Sequence, residues 1–144
     1  MTELSKASID RLVEAAAAVR RRAHAPYSKF SVGAAVLDAD GEVYPGCNVE
    51  NASYGLSVCA ERHAVAAAVA AGDSKLIAVA VVTATSPPAS PCGACRQVLA
   101  EFADMTVILS NPDGERTVTT VAELLPGAFS SDVLNDSRRS SEQS

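Results

Sequence analysis

The sequence predicts an α/β fold, a mixed sheet of five strands flanked by helices. Two hairpin signals, each with an Asp-Gly turn, stand at 32–49 and 106–120. A β-branched apolar run, LIAVAVVT at 76–83, reads as a fully buried strand. Segments of helical period lie before, between and after these. The order is helix, two strands, helix, strand, helix, two strands, helix. Strands separated by helices imply parallel pairing in the centre of the sheet, with helices covering it.

Each element has its own signal. Ile9, Leu12, Val13 and Ala16 fall at i, i+3, i+4 and i+7, so roughly 8–23 is an amphipathic helix that ends near Pro26. VGAAVLD and EVYPGCNV then flank DADG as a hairpin. ENASYGLS carries turn formers without a period and reads as a loop leading into VCAERHA. That Ala-rich helix runs to Gly72, a natural C-cap. After the buried strand, SPPASP is a Pro-rich turn, and CGACRQVLAEF puts Cys95, Val98, Leu99 and Phe102 on one helical stripe that turns Cys92 and Cys95 inward. TVILS and RTVTT flank NPDG, and VAELLPGAF starts a helical turn that Pro126 and Gly127 stop. Residues 1–134 form one domain, and 135–144 read as a disordered polar tail.

Composition narrows the function. The chain has 144 residues, 48% of them hydrophobic and 20% charged, enough for one core. A net charge of −5 and a pI near 4.9 argue against a nucleic-acid partner, whose phosphates need clustered Lys and Arg. The one basic run, Arg20 to Arg22, reads as a solvated helix end. No apolar leader opens the chain and no run is long enough to span a membrane, so a soluble cytoplasmic protein is expected.

Four cysteines, at 47, 59, 92 and 95, are then expected to be reduced, which leaves metal binding or catalysis as their explanation. Cys92 and Cys95 stand one helical turn apart, a spacing that lets both reach one tetrahedral zinc at about 2.3 Å. A redox dithiol and a pair of buried structural cysteines compete with that reading. Cys59 adds weight to zinc, because it too sits at a predicted helix N-terminus and the two helices can lie side by side. Helix dipoles, with Arg62 or Arg96 nearby, offset the charge of three thiolates. Three protein ligands leave a fourth position for water, whose pKa zinc lowers to about 7. Such a water needs a proton acceptor that is not a ligand, and Glu61, two residues from Cys59, can reach it. A solvated helix-face carboxylate is the plainer reading of Glu61 without the cysteines.

Cys-x-Glu followed by Pro-Cys-x-x-Cys is a zinc-deaminase signature. With CAER at 59–62, PCGACRQ at 91–97, NVENASYG at 48–55 and ELLPGAF at 123–129, the chain resembles the small homotetrameric cytidine deaminases from about residue 27 to about 134. The resemblance implies a three-layer α-β-α fold with one zinc per chain on Cys59, Cys92 and Cys95. It makes Glu61 the proton shuttle, and Asn48 and Glu50 the ribose-binding pair. Phe30 becomes the ring that stacks on the pyrimidine, and Tyr54 and Phe129 the residues that reach a neighbouring subunit's site. The implied reaction is deamination of cytidine and deoxycytidine to uridine and deoxyuridine, in pyrimidine salvage. Without it, Phe30 and Phe129 read as core aromatics and Asn48 and Glu50 as a polar strand end. Cys47 reads as a small buried residue, with a reactive thiol as the alternative.

Two rivals stand beside this reading. One is a deaminase of another small aminated heterocycle using the same metal chemistry. The other is a structural zinc module in which Cys47 completes a closed four-cysteine site, leaving no water and no use for Glu61.

Overall fold

The chain runs, in the computed structural model, through α1 (Lys6–Arg20), β1 (Gly33–Asp38), β2 (Val43–Cys47), a 3₁₀ turn (Tyr54–Leu56), α2 (Ala60–Ala70), β3 (Leu76–Val82), α3 (Gly93–Ala100), β4 (Thr106–Ser110), β5 (Arg116–Thr120), α4 (Val121–Leu124) and α5 (Ser131–Glu142). Residues 4–102 and 104–142 are described, with side chains as far as 136. The strands form one sheet in the order β2-β1-β3-β4-β5. Both expected hairpins are present, and the pair β3–β4 is parallel. The centre is less parallel than expected, because β1 also pairs with β3 in the antiparallel sense. The first hairpin places β1 inside and β2 at the edge, so the crossover through α2 returns the chain to the far side of β1. β2 and β3 therefore run in the same direction without touching. The edge position also tolerates Pro45, which has no N–H for a second neighbour.

Strand alternation divides the core in two. Ala35, Leu37, Ala78, Ala80, Val82 and Ile108 face α1, which buries Leu12, Val13 and Ala16 on them. Ala34, Val36, Val79, Val81, Val107 and Leu109 face the opposite layer, where α2 contributes Ala60, Ala64, Val65 and Ala68 and α3 contributes Leu99. The result is the three-layer α-β-α arrangement, with α2 and α3 side by side on one face. Among the described residues no helix is long and apolar enough to cross a membrane.

Two glycines set the layer spacing. A Cβ on Gly33 would lie 1.9 Å from the Ala16 carbonyl oxygen of α1, and one on Gly46 would lie 2.4 Å from the Ala64 nitrogen of α2. Both helices thus press directly on strand backbone. At the C-terminus α5 covers most of the segment expected to be a disordered tail, and positions 143–144 lie outside the described residues. Asp132 in its first turn favours the helix. Its apolar residues Val133 and Leu134 stay about half exposed, so it adds little to the core.

Candidate active site

The three predicted thiols meet. Cys59 is the N-cap of α2 and Cys92 the N-cap of α3, and neither side chain closes its own cap. The free N–H groups and positive dipole ends of two helices therefore face the sulfurs. The Sγ atoms of Cys59 and Cys92 are 3.9 Å apart, those of Cys92 and Cys95 3.4 Å, and all three lie within 4.8 Å of one another. Sulfurs bound tetrahedrally at about 2.3 Å stand about 3.8 Å apart, so the triad fits a zinc ion. Cys95 is buried as its helical stripe requires, but Cys92 is exposed and not turned into the core. An N-cap residue precedes the first helical turn, which frees its side chain from the stripe. Cys47 does not join this group among the described residues. Its carbonyl oxygen accepts a hydrogen bond from His63 Nδ1 at 2.8 Å, tying β2 to α2.

Charge is arranged around the thiols. The Cys59 thiol is lowered to about 5, first by its hydrogen bond with Cys95 and also by Arg62. Cys95 is pushed up as the donor in that bond, and by burial. Arg62 reaches Cys59 Sγ at 4.0 Å. Arg96, the other expected counter-charge, is bonded elsewhere. Its Nε donates to the Pro91 carbonyl oxygen at 2.8 Å and its guanidinium to that of Leu124 at 2.7 Å. Arg96 thus braces the residue before Cys92 against α4. Glu61 is 5% exposed, and burial raises its carboxyl above the ordinary range, with the neighbouring Cys59 adding to the rise.

Beside the thiols lies a cavity of about 250 Å³ whose walls include Phe30, Asn48, Glu50, Cys59, Glu61 and Cys92. Short bridges pin the NVEN segment, joining His24 to Val49 and Val49 to Val58. Extended backbone points alternate side chains the same way, which puts Asn48 and Glu50 on one wall. The Asn48 side chain accepts from Val32 N and donates to the Phe30 carbonyl oxygen, both at 2.8 Å. Glu50 accepts from the backbone of Tyr27 and Ser28 at 3.0 and 3.1 Å and from the Ser28 hydroxyl, and these bonds, the hydroxyl's first, hold its carboxyl below the ordinary range. The same two residues thus shape the 27–32 loop, where Lys29 takes a φ of 60° just before Phe30. Arg20 joins them by donating to the Ser31 carbonyl oxygen at 2.9 Å, so it is more than a solvated helix end.

Tyr54 and Phe129 do not line this cavity. Tyr54 is 74% exposed, its ring 5.7 Å from that of Tyr27, and Phe129 is 57% exposed, so Phe129 is no core aromatic. Phe30 is 41% exposed at the cavity wall and is not a core residue either. The cavity also uses Thr83, which the sequence suggests only as the end of a buried strand, and Ala89 and Ser90, which it suggests only as a Pro-rich turn. Thr83 accepts from Ala89 N at 3.0 Å, folding that turn over the site. For Ala89 and Ser90, their position just before Cys92 is the signal that could have found them.

Residues 6–111 match the family model described as the cytidine and deoxycytidylate deaminase zinc-binding region. The cytidine deaminase of Sporosarcina psychrophila is 50% identical over 129 residues, 88% of this chain and 95% of that protein. That of Halalkalibacterium halodurans is 51% identical over 127 residues, 87% of this chain and 96% of that protein. A crystal structure of cytidine deaminase from Burkholderia pseudomallei superimposes with a TM-score of 0.82 at 50% identity, covering 88% of this chain and 100% of that one.

Proposed function

Because the chain belongs to the cytidine and deoxycytidylate deaminase family, we propose that it hydrolyses cytidine and deoxycytidine to uridine and deoxyuridine, releasing ammonia. The observation that carries this reading is a buried non-ligand carboxylate, Glu61, in the same cavity wall as the thiols. Cys59, Cys92 and Cys95 would hold zinc, which supplies Lewis acidity and a nucleophilic water at neutral pH. Glu61 takes a proton from the attacking water and gives it to N3 of the base, then takes the second from the new C4 hydroxyl and passes it to the amine leaving C4. Its burial suits this work, because a carboxyl raised toward neutrality both accepts and returns a proton. Asn48 and Glu50 grip the ribose hydroxyls, which discriminates against a free base. Phe30 packs on the ring. Arg62 balances the thiolate charge.

The exposed rings of Tyr54 and Phe129 support a homotetramer in which each reaches a neighbour's site. Sedimentation should then find a species of four chains, and a monomer that is active would remove their role. Three thiolate ligands persist only where thiols stay reduced, which supports the cytoplasm and a place in pyrimidine salvage.

The test is the ultraviolet change on mixing the protein with cytidine, beside Glu61→Gln with zinc assayed in both. Turnover should fall about 10²–10⁴-fold in the variant while zinc stays at one per chain. Silence in both proteins with zinc bound would instead favour another aminated heterocycle.

A further inference from the structure

Asp38, Asp40 and Asp73 form a second cluster at the far end of the sheet, their carboxylates offering oxygens within 4.8 Å of one another. Asp38 ends β1, Asp40 lies in the turn to β2, and Asp73 follows α2. β1 pairs with Val82 and Cys47 at its start and with Leu76 at Asp38, so the cluster is about 17 Å along the strand from the thiol end.

Asp38 is unusual among them. It is fully buried, and its Oδ1 accepts from the backbone of Asp40 at 2.9 Å and of Glu42 at 2.8 Å. Its other oxygen, Oδ2, is buried and receives no backbone, hydroxyl or cationic donor. The group that faces this carboxylate is another carboxyl, Asp73, whose pKa is raised first by its hydrogen bond with Asp38 and then by burial. Among the described residues no Lys, Arg or His nitrogen pairs with any of the three. Carboxylates so placed need a cation or a shared proton between them, since a buried unpaired charge costs several kcal/mol.

We propose that Asp38 Oδ2, with the carboxylates of Asp40 and Asp73, binds a calcium-class divalent cation that ties the β1–β2 turn to the α2–β3 loop. Carboxylates from two separate loops suit calcium, which accepts six to eight oxygens in flexible geometry, better than magnesium, which demands a near-ideal octahedron. Water completes the shell on the exposed side, at Asp40. The cation is a structural clamp remote from the chemistry.

Tyr44 supplies the readout. Its hydroxyl lies 3.4 Å from Asp73 Oδ2, and the chain has three tyrosines and no tryptophan. Terbium, a hard calcium substitute, bound to the zinc-loaded protein should luminesce on tyrosine excitation, and excess calcium should quench the signal while magnesium leaves most of it. Asp40→Asn and Asp73→Asn should each weaken terbium binding about tenfold or more, because ligand charge sets affinity at such sites. Both should keep deaminase activity. Tyr44→Phe should lose the luminescence but retain the calcium-dependent rise in Tm. No terbium signal and no calcium-dependent Tm in the native protein would overturn the proposal and leave Asp38 and Asp73 sharing a proton. Terbium binding unchanged in both Asn variants would overturn it as well.

Discussion

Arg62 shows how much one side chain does at the thiol centre. Its guanidinium reaches Cys59 Sγ while its Nε is buried without a partner, so its interactions are concentrated on the sulfur side. A charge that orients and balances a metal ligand is typically worth 10–100-fold in metal affinity. Arg62→Ala should therefore surrender zinc to a chelator at about tenfold lower concentration or less, followed with a colorimetric zinc indicator. Unchanged zinc retention would mean that the two helix N-termini carry the charge balance alone. At this scale the sequence was informative about identities: Cys59, Cys92, Cys95 and Glu61 stand out because their spacing on helices brings them together. It was less informative about Arg96, since nothing local distinguishes an arginine that neutralises thiolates from one that donates to the carbonyls of Pro91 and Leu124.

The site depends equally on how elements press together. β2 and α2 approach so closely that Gly46 has no room for a methyl group, and that approach sets where the N-terminus of α2 delivers Cys59 and Glu61. Gly46→Ala should cost about 1–3 kcal/mol in urea unfolding, the usual penalty of overpacking against backbone that cannot yield. It should also lower zinc occupancy, because α2 must shift to admit the Cβ. A variant with native stability would show that α2 rides freely on β2. The hairpins and helices were legible because their signals are local, turn residues and periodicity over a few positions. The antiparallel entry of β1 beside β3 was not, because strand order depends on which side of the hairpin faces the rest of the sheet.

Across the whole molecule, Asp10 joins the two ends of the described core. It takes Arg116 of β5 at 2.6 Å and Lys6 at 2.9 Å, and these bonds, Arg116's first, hold its carboxyl below the ordinary 3.8 of an aspartate. A depressed folded-state pKa means that the unfolded chain binds more protons in this window, so stability rises with pH there. The Asp10 contribution is complete above the unfolded value and is lost as pH falls through the folded one. Asp10→Asn should lower Tm slightly at neutral pH, where the contribution is present, and converge on the native protein as pH falls below about 4, which flattens the acid limb. Glu50 and Glu115, both held below the ordinary 4.5, leave a residual acid slope in that variant. An unaltered acid limb would assign the acid sensitivity to the other depressed carboxyls, Asp38 among them.

By itself the sequence determined the α/β class, the two hairpins, the three thiols that converge, the carboxylate beside them and the family to which they belong. These follow from residue type and short spacing, and short-range geometry is fixed by the chain itself. Only the tertiary structure decided that Cys92 opens onto the cavity, that Cys47 stays out of the thiol group, and that Thr83 and Ala89 shape the site. It alone left Phe129 exposed, buried Glu61, and set Asp38 against Asp73. Burial, charge balance and the meeting of distant segments depend on which surfaces pack together, and no window along the chain contains both partners of such a contact.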